Sequence, residues 1–223
     1  MVDLKKIGIF QGMSEEDLKS IAPRFKTEKS KKRDILFSEG DPPGWFYIVL
    51  EGKVKITKLS QEGKEIILEI IPPLDVFGGV AVIRGIPYPA NAVAMEDSVL
   101  LRISREDLMQ VLGKFPGITF EIFKNLGTRL QDSHESMKNI ALEKVVSRVA
   151  SLLLKLADKS GTETPGGVSI DMKLTKQDIA EMVGSTVETS IRTMSRLKKT
   201  GVLEEKDGKI IIRDVEKLKA LCS

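Results

Sequence analysis

The sequence predicts an α+β chain: an N-terminal antiparallel β-roll or barrel, one long helix, then a helix-turn-helix closed by a β-hairpin. Three observations predict it. Residues 30–103 hold short runs rich in Val, Ile, Phe and Tyr, separated by turn clusters at Glu39–Gly44, Glu51–Gly52 and Gln61–Gly63. From Ser104 the apolar spacing becomes helical, and residues 118–156 run without a proline. The last fifty residues pair two capped helical runs with a turn dipeptide, Asp207-Gly208, between apolar runs. Many short strands with glycine turns argue for a closed antiparallel sheet, and the change of period marks the change of architecture.

Each element follows in order. Ser14 and Asp17 form a capping-box variant that opens a short helix through Leu18 and Ile21, ended by Pro23. "KVKIT" and part of "EIILEI" alternate with period two, and Val99–Ile103 reads as the last strand. Ser104 caps the next helix, with Asp107 three residues on. Phe123, Leu126, Leu130, Ser133, Met137 and Ile140 then follow a 3-4-3-4-3 spacing, the seam of a coiled coil. A helix so long with so narrow a seam predicts parallel homodimerisation; packing on the barrel of the same chain is the alternative. Asp158–Asp171, rich in Gly, Ser and Thr, reads as a flexible loop. These runs divide the chain into residues 1–115, a sensing domain, 116–142, a dimerisation helix, and 143–223, a DNA-binding domain.

Composition narrows the function. The chain has 223 residues, 30% of them charged, and a net charge of +3, too small to mark a nucleic-acid binder by itself. The distribution is more telling. Arg192, Arg196, Lys198, Lys199, Lys206, Lys209 and Arg213 stand against only Glu204, Glu205 and Asp207 in one C-terminal stretch. The single cysteine, Cys222, excludes an internal disulfide, a CxxC pair and a four-cysteine iron–sulfur site. One His and one Cys assemble no nucleophile–base–acid set, and neither a P-loop nor a G-x-G-x-x-G run occurs, so an enzyme is not expected. The N-terminus lacks an apolar run long enough for a signal peptide, and no stretch reaches the ~18–20 apolar residues of a membrane span. A cytoplasmic protein with no membrane partner is expected.

The most informative stretch is "LTKQDIAEMVGSTVETSIRTMSRLKKTGVL". Thr175 caps a first helix carrying Ile179, Met182 and Val183, and Gly184 supplies a left-handed exit. Ser185 or Thr186 caps a second helix, on which Met194 and Leu197 face the core. The hairpin that follows makes this a winged helix-turn-helix. Glu188 and Arg192, four apart, share a face and can pair with each other. Arg forks onto guanine O6 and N7, and a carboxylate accepts from cytosine N4. This pair is the expected base reader. Thr175, Lys176, Thr189, Arg196 and Lys198 are the expected phosphate contacts, which position without specifying.

A barrel, a long helix and a winged helix-turn-helix in this order resemble the CRP/FNR superfamily of bacterial transcription regulators. "DILFSEGDPPGWFYIVLEGKVKI" is similar to that family's cyclic-nucleotide-binding fold, with its turn glycines at Gly40 and Gly52. The resemblance implies base-reading positions at Val187, Glu188, Ile191 and Arg192. The cAMP-type regulators have arginine where this chain has Val187, so their TGTGA half-site is not expected. Val187-Glu188-Thr189 is similar to the FNR-type run, which reads a TTGAT-like half-site. That type has serine where this chain has Ile191, which leaves the outer bases open; Ile191 suits a thymine methyl. The expected operator is a double-stranded palindrome with a GA core in each half-site.

In the family's cyclic-nucleotide receptors a glutamate holds the ribose and an Arg-Ser pair grips the phosphate. Those positions fall on Gly79, Tyr88 and Pro89 here, so cAMP is not expected and the effector is left unnamed. The expected effector pocket comprises Phe77, Gly78, Gly79, Val80, Tyr88, Pro89, Ala90, Leu126 and Leu130. Arg84 is expected on the surface. His134, the only histidine, is the one candidate haem ligand, haem being a cofactor of some relatives. A vestigial, ligand-free barrel and a regulatory module acting on a protein partner are the alternatives. Loop 159–167 is a candidate contact for RNA polymerase.

Overall fold

The computed structural model describes residues 3–206 and 208–222. It divides into two compact units, Met1–Gln131 and Asp132–Ser223.

The first unit is built on eight strands: β1 (Lys26–Ser30), β2 (Ile35–Phe37), β3 (Trp45–Glu51), β4 (Val54–Leu59), β5 (Glu65–Ile71), β6 (Val76–Phe77), β7 (Asn91–Ala94) and β8 (Ser98–Ser104). They form two antiparallel four-stranded sheets, in the orders β1-β8-β3-β6 and β2-β7-β4-β5. The aromatic and β-branched run of β3 is buried along most of its length, and the strand pairs with β6 on one edge and β8 on the other. Ile48 and Val49 of β3, Leu100 and Ile103 of β8, Val54 of β4 and Ile71 of β5 join one core cluster, so the sheets close over a shared interior. Helix α1 (Glu15–Ile21) has Ser14 as its N-cap and ends two residues before Pro23, as its sequence predicts. The short α2 (Gly79–Arg84) follows β6, and α3 (Arg105–Lys114) is capped by Ser104, whose hydroxyl accepts from the Asp107 N–H.

Helix α4 (Pro116–Leu142) carries two stripes. Within the first unit Ile118 and Ile122 are buried in the barrel core, and Asn125 and Arg129 continue that line at helical spacing. The other stripe is the predicted seam. Phe123 is 72% exposed, Leu130 57% and Met137 59%. The helical run does not continue unbroken to residue 156. Lys144 is extended and divides α4 from α5 (Val145–Ser160), although neither proline nor glycine stands there. The reason is a change of face: Val149, Ala150, Leu153 and Leu156 form a fresh apolar stripe buried in the second unit.

The second unit packs α5, α6 (Lys176–Val183), α7 (Val187–Lys199) and α8 (Val215–Lys219) with a four-stranded antiparallel sheet. Its strands are β9 (Gly161–Thr164), β10 (Gly167–Ile170), β11 (Leu203–Lys206) and β12 (Lys209–Ile212), ordered β11-β12-β10-β9. The expected flexible loop 158–171 is therefore a hairpin. Its signal was hidden because β9 is an exposed edge strand of polar residues, held by backbone pairing rather than by an apolar face. Gly167 has φ +129°, and a Cβ there would meet the Ile212 carbonyl oxygen at 2.0 Å, so only glycine lets β10 approach β12. The predicted C-terminal hairpin is present as β11 and β12, with Lys206 opposite Lys209. Asp207 of its predicted turn lies outside the described residues.

Candidate DNA-reading surface and effector cavity

The helix-turn-helix is assembled by local chemistry. The Thr175 hydroxyl accepts from the Asp178 N–H, and the Asp178 carboxylate accepts from the Thr175 N–H in return, a full capping box on α6. Gly184 takes the left-handed conformation, φ 59° and ψ 51°, that the tight turn needs. Arg148 of α5 donates to its carbonyl at 3.4 Å. Thr186, rather than Ser185, caps α7 by accepting from the Thr189 N–H. Met194, Leu197, Ser190 and Thr193 are buried and anchor α7. Its other face is left to solvent: Glu188 and Arg192 are exposed, Val187 and Thr189 half-buried, and Ile191 is 43% exposed.

The expected Glu188–Arg192 pair is not formed. The Arg192 guanidinium donates instead to Thr189 Oγ1 at 3.2 Å, one residue nearer along the same face. Among the described residues Glu188 makes no hydrogen bond or ion pair. Both groups are presented to solvent, and the Thr189 hydroxyl is the one side-chain partner Arg192 has among the described residues.

The expected phosphate contacts divide in three. Arg196 is exposed on α7 with no side-chain partner among the described residues. Thr175 and Thr189 have their hydroxyls engaged in the caps and in the Arg192 contact. Lys176 and Lys198 are both held by one carboxylate, Glu205 of β11, with Lys198 Nζ at 3.0 Å. Burial works against ionisation of Glu205, but hydrogen bonds and charge from the two ammonium groups outweigh it and hold the carboxyl below its ordinary value. A depressed value contributes stability above the unfolded carboxylate range, lost as pH falls through the folded value, so the clamp is intact at neutral pH. Glu205→Gln is expected to release both lysines. Binding to non-specific DNA should strengthen, and its logarithmic salt slope should steepen by about two phosphate contacts. Anisotropy titrations at several salt concentrations measure this, and an unchanged slope would show that Glu205 does not restrain these groups.

The first unit contains a cavity of about 160 Å³. Of the expected pocket residues, Phe77, Gly78, Gly79, Val80, Tyr88, Pro89, Ala90 and Leu126 line it. Leu130 does not: it lies one helical turn beyond Leu126 and its side chain is exposed. The sequence reading also missed Glu69, Asn125 and Arg129, which supply the polar end. Arg129 donates to Val76 O at 2.6 Å and pairs with Asp75 at 3.0 Å and Glu69 at 3.3 Å. Phe37 stacks on Tyr88 with centroids 3.7 Å apart. The Tyr88 hydroxyl donates to Trp45 O at 2.6 Å and accepts from Trp45 N–H at 2.9 Å. Burial raises its pKa, with the Trp45 backbone bond opposing, so Tyr88 is a neutral phenol whose hydroxyl is already engaged.

At Gly79 a Cβ would lie 2.9 Å from the Phe46 ring, so a longer side chain needs that ring to move. Arg84 is exposed, as expected, and does not line the cavity. His134 is exposed on α4, and among the described residues no His, Cys or Met lines the cavity. These residues do not fit haem.

Comparison with known proteins places both features. The model of the cyclic nucleotide-binding domain matches residues 27–115, and that of the Crp-like helix-turn-helix domain matches residues 147–221. The "Anaerobic regulatory protein" of Bacillus subtilis (strain 168) is 30% identical over 199 residues, covering 88% of this chain and 82% of its own. The chain belongs to the CRP/FNR family of transcription regulators. It is a DNA-binding regulator, and its relatives are regulators rather than enzymes. A "CRP-like cAMP-activated global transcriptional regulator" of Mycobacterium tuberculosis (strain CDC 1551 / Oshkosh) is 27% identical over 215 residues, covering 96% of each chain. The structure of a CooA mutant from Carboxydothermus hydrogenoformans shares the fold, with TM-score 0.81, 24% identity and coverage of 100% of this chain and 96% of that one. Within this CRP/FNR chain, none of the described helices is long and apolar enough to cross a membrane.

Proposed function

We propose that this CRP/FNR regulator acts as a homodimer on a palindromic, FNR-like operator with a TTGA-type half-site, read by Glu188 and Arg192. The observation that carries the reading is the exposed face of α7, where a carboxylate and a guanidinium stand at i and i+4 with no bond to each other. The exposed Phe123–Ile140 seam supports the dimer, and a twofold axis would present two copies of α7 to half-sites ~34 Å apart. Val187, which has no guanidinium, supports the FNR-like over the TGTGA half-site. Residues 159–167, at the end of α5 and in the β9–β10 hairpin, keep RNA polymerase as a further candidate partner.

We also propose that the barrel senses an effector other than cAMP. Gly79 stands where a ribose-binding glutamate would be, Pro89 has no N–H, and the cavity's guanidinium already holds two carboxylates. Gel shifts on FNR-like and CRP-like palindromes test the whole reading. Preference for the FNR-like site, with steep salt dependence, is the expected result. Equal or greater affinity for the CRP-like site would overturn the operator assignment.

A further inference from the structure

The buried residues Ser190, Thr193, Met194 and Leu197 fix which way α7 faces. At about 100° per residue, the opposite face is centred on Glu188, Ser195, Arg192 and Lys199, and all four are exposed. Ile191 stands on one edge of that face, roughly 60° around the helix from Glu188, and is 43% exposed. Val187, one turn earlier, continues the edge and is half-buried. Lys198 ends it two turns on, with its ammonium held by Glu205.

A single exposed isoleucine is ordinary on a protein surface. This one lies in the second turn of α7, beside both base-reading side chains. The N-terminal residues of a recognition helix are the ones that meet base edges, so α7 cannot enter a groove without covering Ile191. What an isoleucine accepts there is narrow. It neither donates nor accepts a hydrogen bond, so a polar base atom covered by it loses water without replacement. Base edges in the major groove show one apolar group, the methyl on C5 of thymine. A methyl on C5 of cytosine occupies the same place on the ring. Ile191 is β-branched, and its χ1 is held to one rotamer in a helix, so little side-chain freedom is lost on contact. Ser195, four residues on, is exposed, and its hydroxyl can donate as well as accept. It does not impose thymine O4 over cytosine N4.

We propose, resting on α7 as the base-reading helix, that Ile191 backed by Val187 reads a pyrimidine 5-methyl group in each half-site. The methyl is the feature recognised, whether thymine or 5-methylcytosine carries it. Operator affinity therefore rises when a cytosine at that position is methylated on C5.

The probe is the FNR-like palindrome with each thymine replaced in turn by uracil, on either strand and in both half-sites. Uracil lacks the methyl and keeps the hydrogen-bonding edge. By anisotropy, the full-length protein is expected to lose about three- to fivefold per methyl at one position, the effect of one buried methyl group. At that position 5-methylcytosine should bind more tightly than cytosine by about the same factor. In Ile191→Ala, which truncates an exposed side chain, uracil should bind as thymine does there, and cytosine as 5-methylcytosine. Ile191→Val, which keeps the branch, should retain part of the preference and serves if Ile191→Ala does not melt cooperatively.

Thymine and uracil bound alike at every position, with the FNR-like palindrome still preferred, would overturn the methyl reading and leave Glu188 and Arg192 as base readers. A uracil effect of equal size in the wild type and a folded Ile191→Ala would overturn the assignment to Ile191. A uracil effect with no gain from 5-methylcytosine would overturn the response to cytosine methylation. No preference among palindromes would overturn the operator reading, and the methyl reading with it.

Discussion

Arg192→Ala is expected to weaken operator binding by roughly ten- to a hundredfold and to relax the requirement at one base pair. A bidentate base contact discriminates by ~1–3 kcal/mol, and each ~1.4 kcal/mol is tenfold in affinity. The exposed guanidinium has only the Thr189 hydroxyl to leave, at 3.2 Å, so little internal energy offsets the loss. Glu188→Ala should fall in the same range at a neighbouring position. Arg196→Ala makes the useful contrast. As a phosphate contact it should weaken all sequences alike and flatten the salt slope by about one. The measurement is anisotropy on the operator and on single-base variants at two salt concentrations. A uniform loss from Arg192→Ala, equal across base variants, would move Arg192 into the phosphate class and undo the operator assignment.

How far the sequence reached can be followed through single residues. The caps at Ser14, Ser104 and Thr175 and the exit at Gly184 were legible because each is a local rule, decided within four residues. The strands of the roll were legible because short runs of Val, Ile, Phe and Tyr between glycine turns are a local signal too. What escaped was settled by partners distant in the chain. Arg129 stands between the seam residues Leu126 and Leu130, and nothing nearby marks it as a cavity group. Its acids, Glu69 and Asp75, lie 60 and 54 residues away. One signal was present: Ile118, Ile122, Asn125 and Arg129 repeat at helical spacing on the side of α4 away from Phe123, the stripe that faces the barrel. Glu205 escaped in the same way, because its hold on Lys176 spans 29 residues. The hairpin of β9 and β10 escaped because its edge strand buries nothing. The Glu188–Arg192 pairing failed for a smaller reason. Sharing a helix face allows a pair but does not compel one when Thr189 offers an acceptor closer by.

The second large effect concerns the seam. Leu130→Glu combined with Met137→Glu is expected to yield a folded monomer with operator affinity reduced by about two to four orders of magnitude. Joining two half-site contacts in one molecule raises overall affinity by ~10²–10⁴-fold through effective concentration alone, and a monomer forfeits that gain. These two positions are the cleaner choice because Leu126, their seam neighbour, also lines the cavity. Both side chains are exposed in the single chain, 57% and 59%, so glutamate there removes no buried contact of either unit. In a dimer both positions, one heptad apart, would be a sites, where a carboxylate on each strand would be desolvated beside its twin. The melting transition should therefore change little at low concentration while sedimentation shifts to one chain. The coupling to DNA is geometric: α4 carries the seam, and the spacing of two copies of α7 must meet half-sites about one helical turn apart. A ligand that preferred one arrangement of the seam would shift operator affinity by no more than its difference in affinity for the two arrangements. If the double variant still sediments as a dimer and binds the palindrome tightly, the dimer interface lies elsewhere, and Phe123–Ile140 must be covered by something other than its own copy.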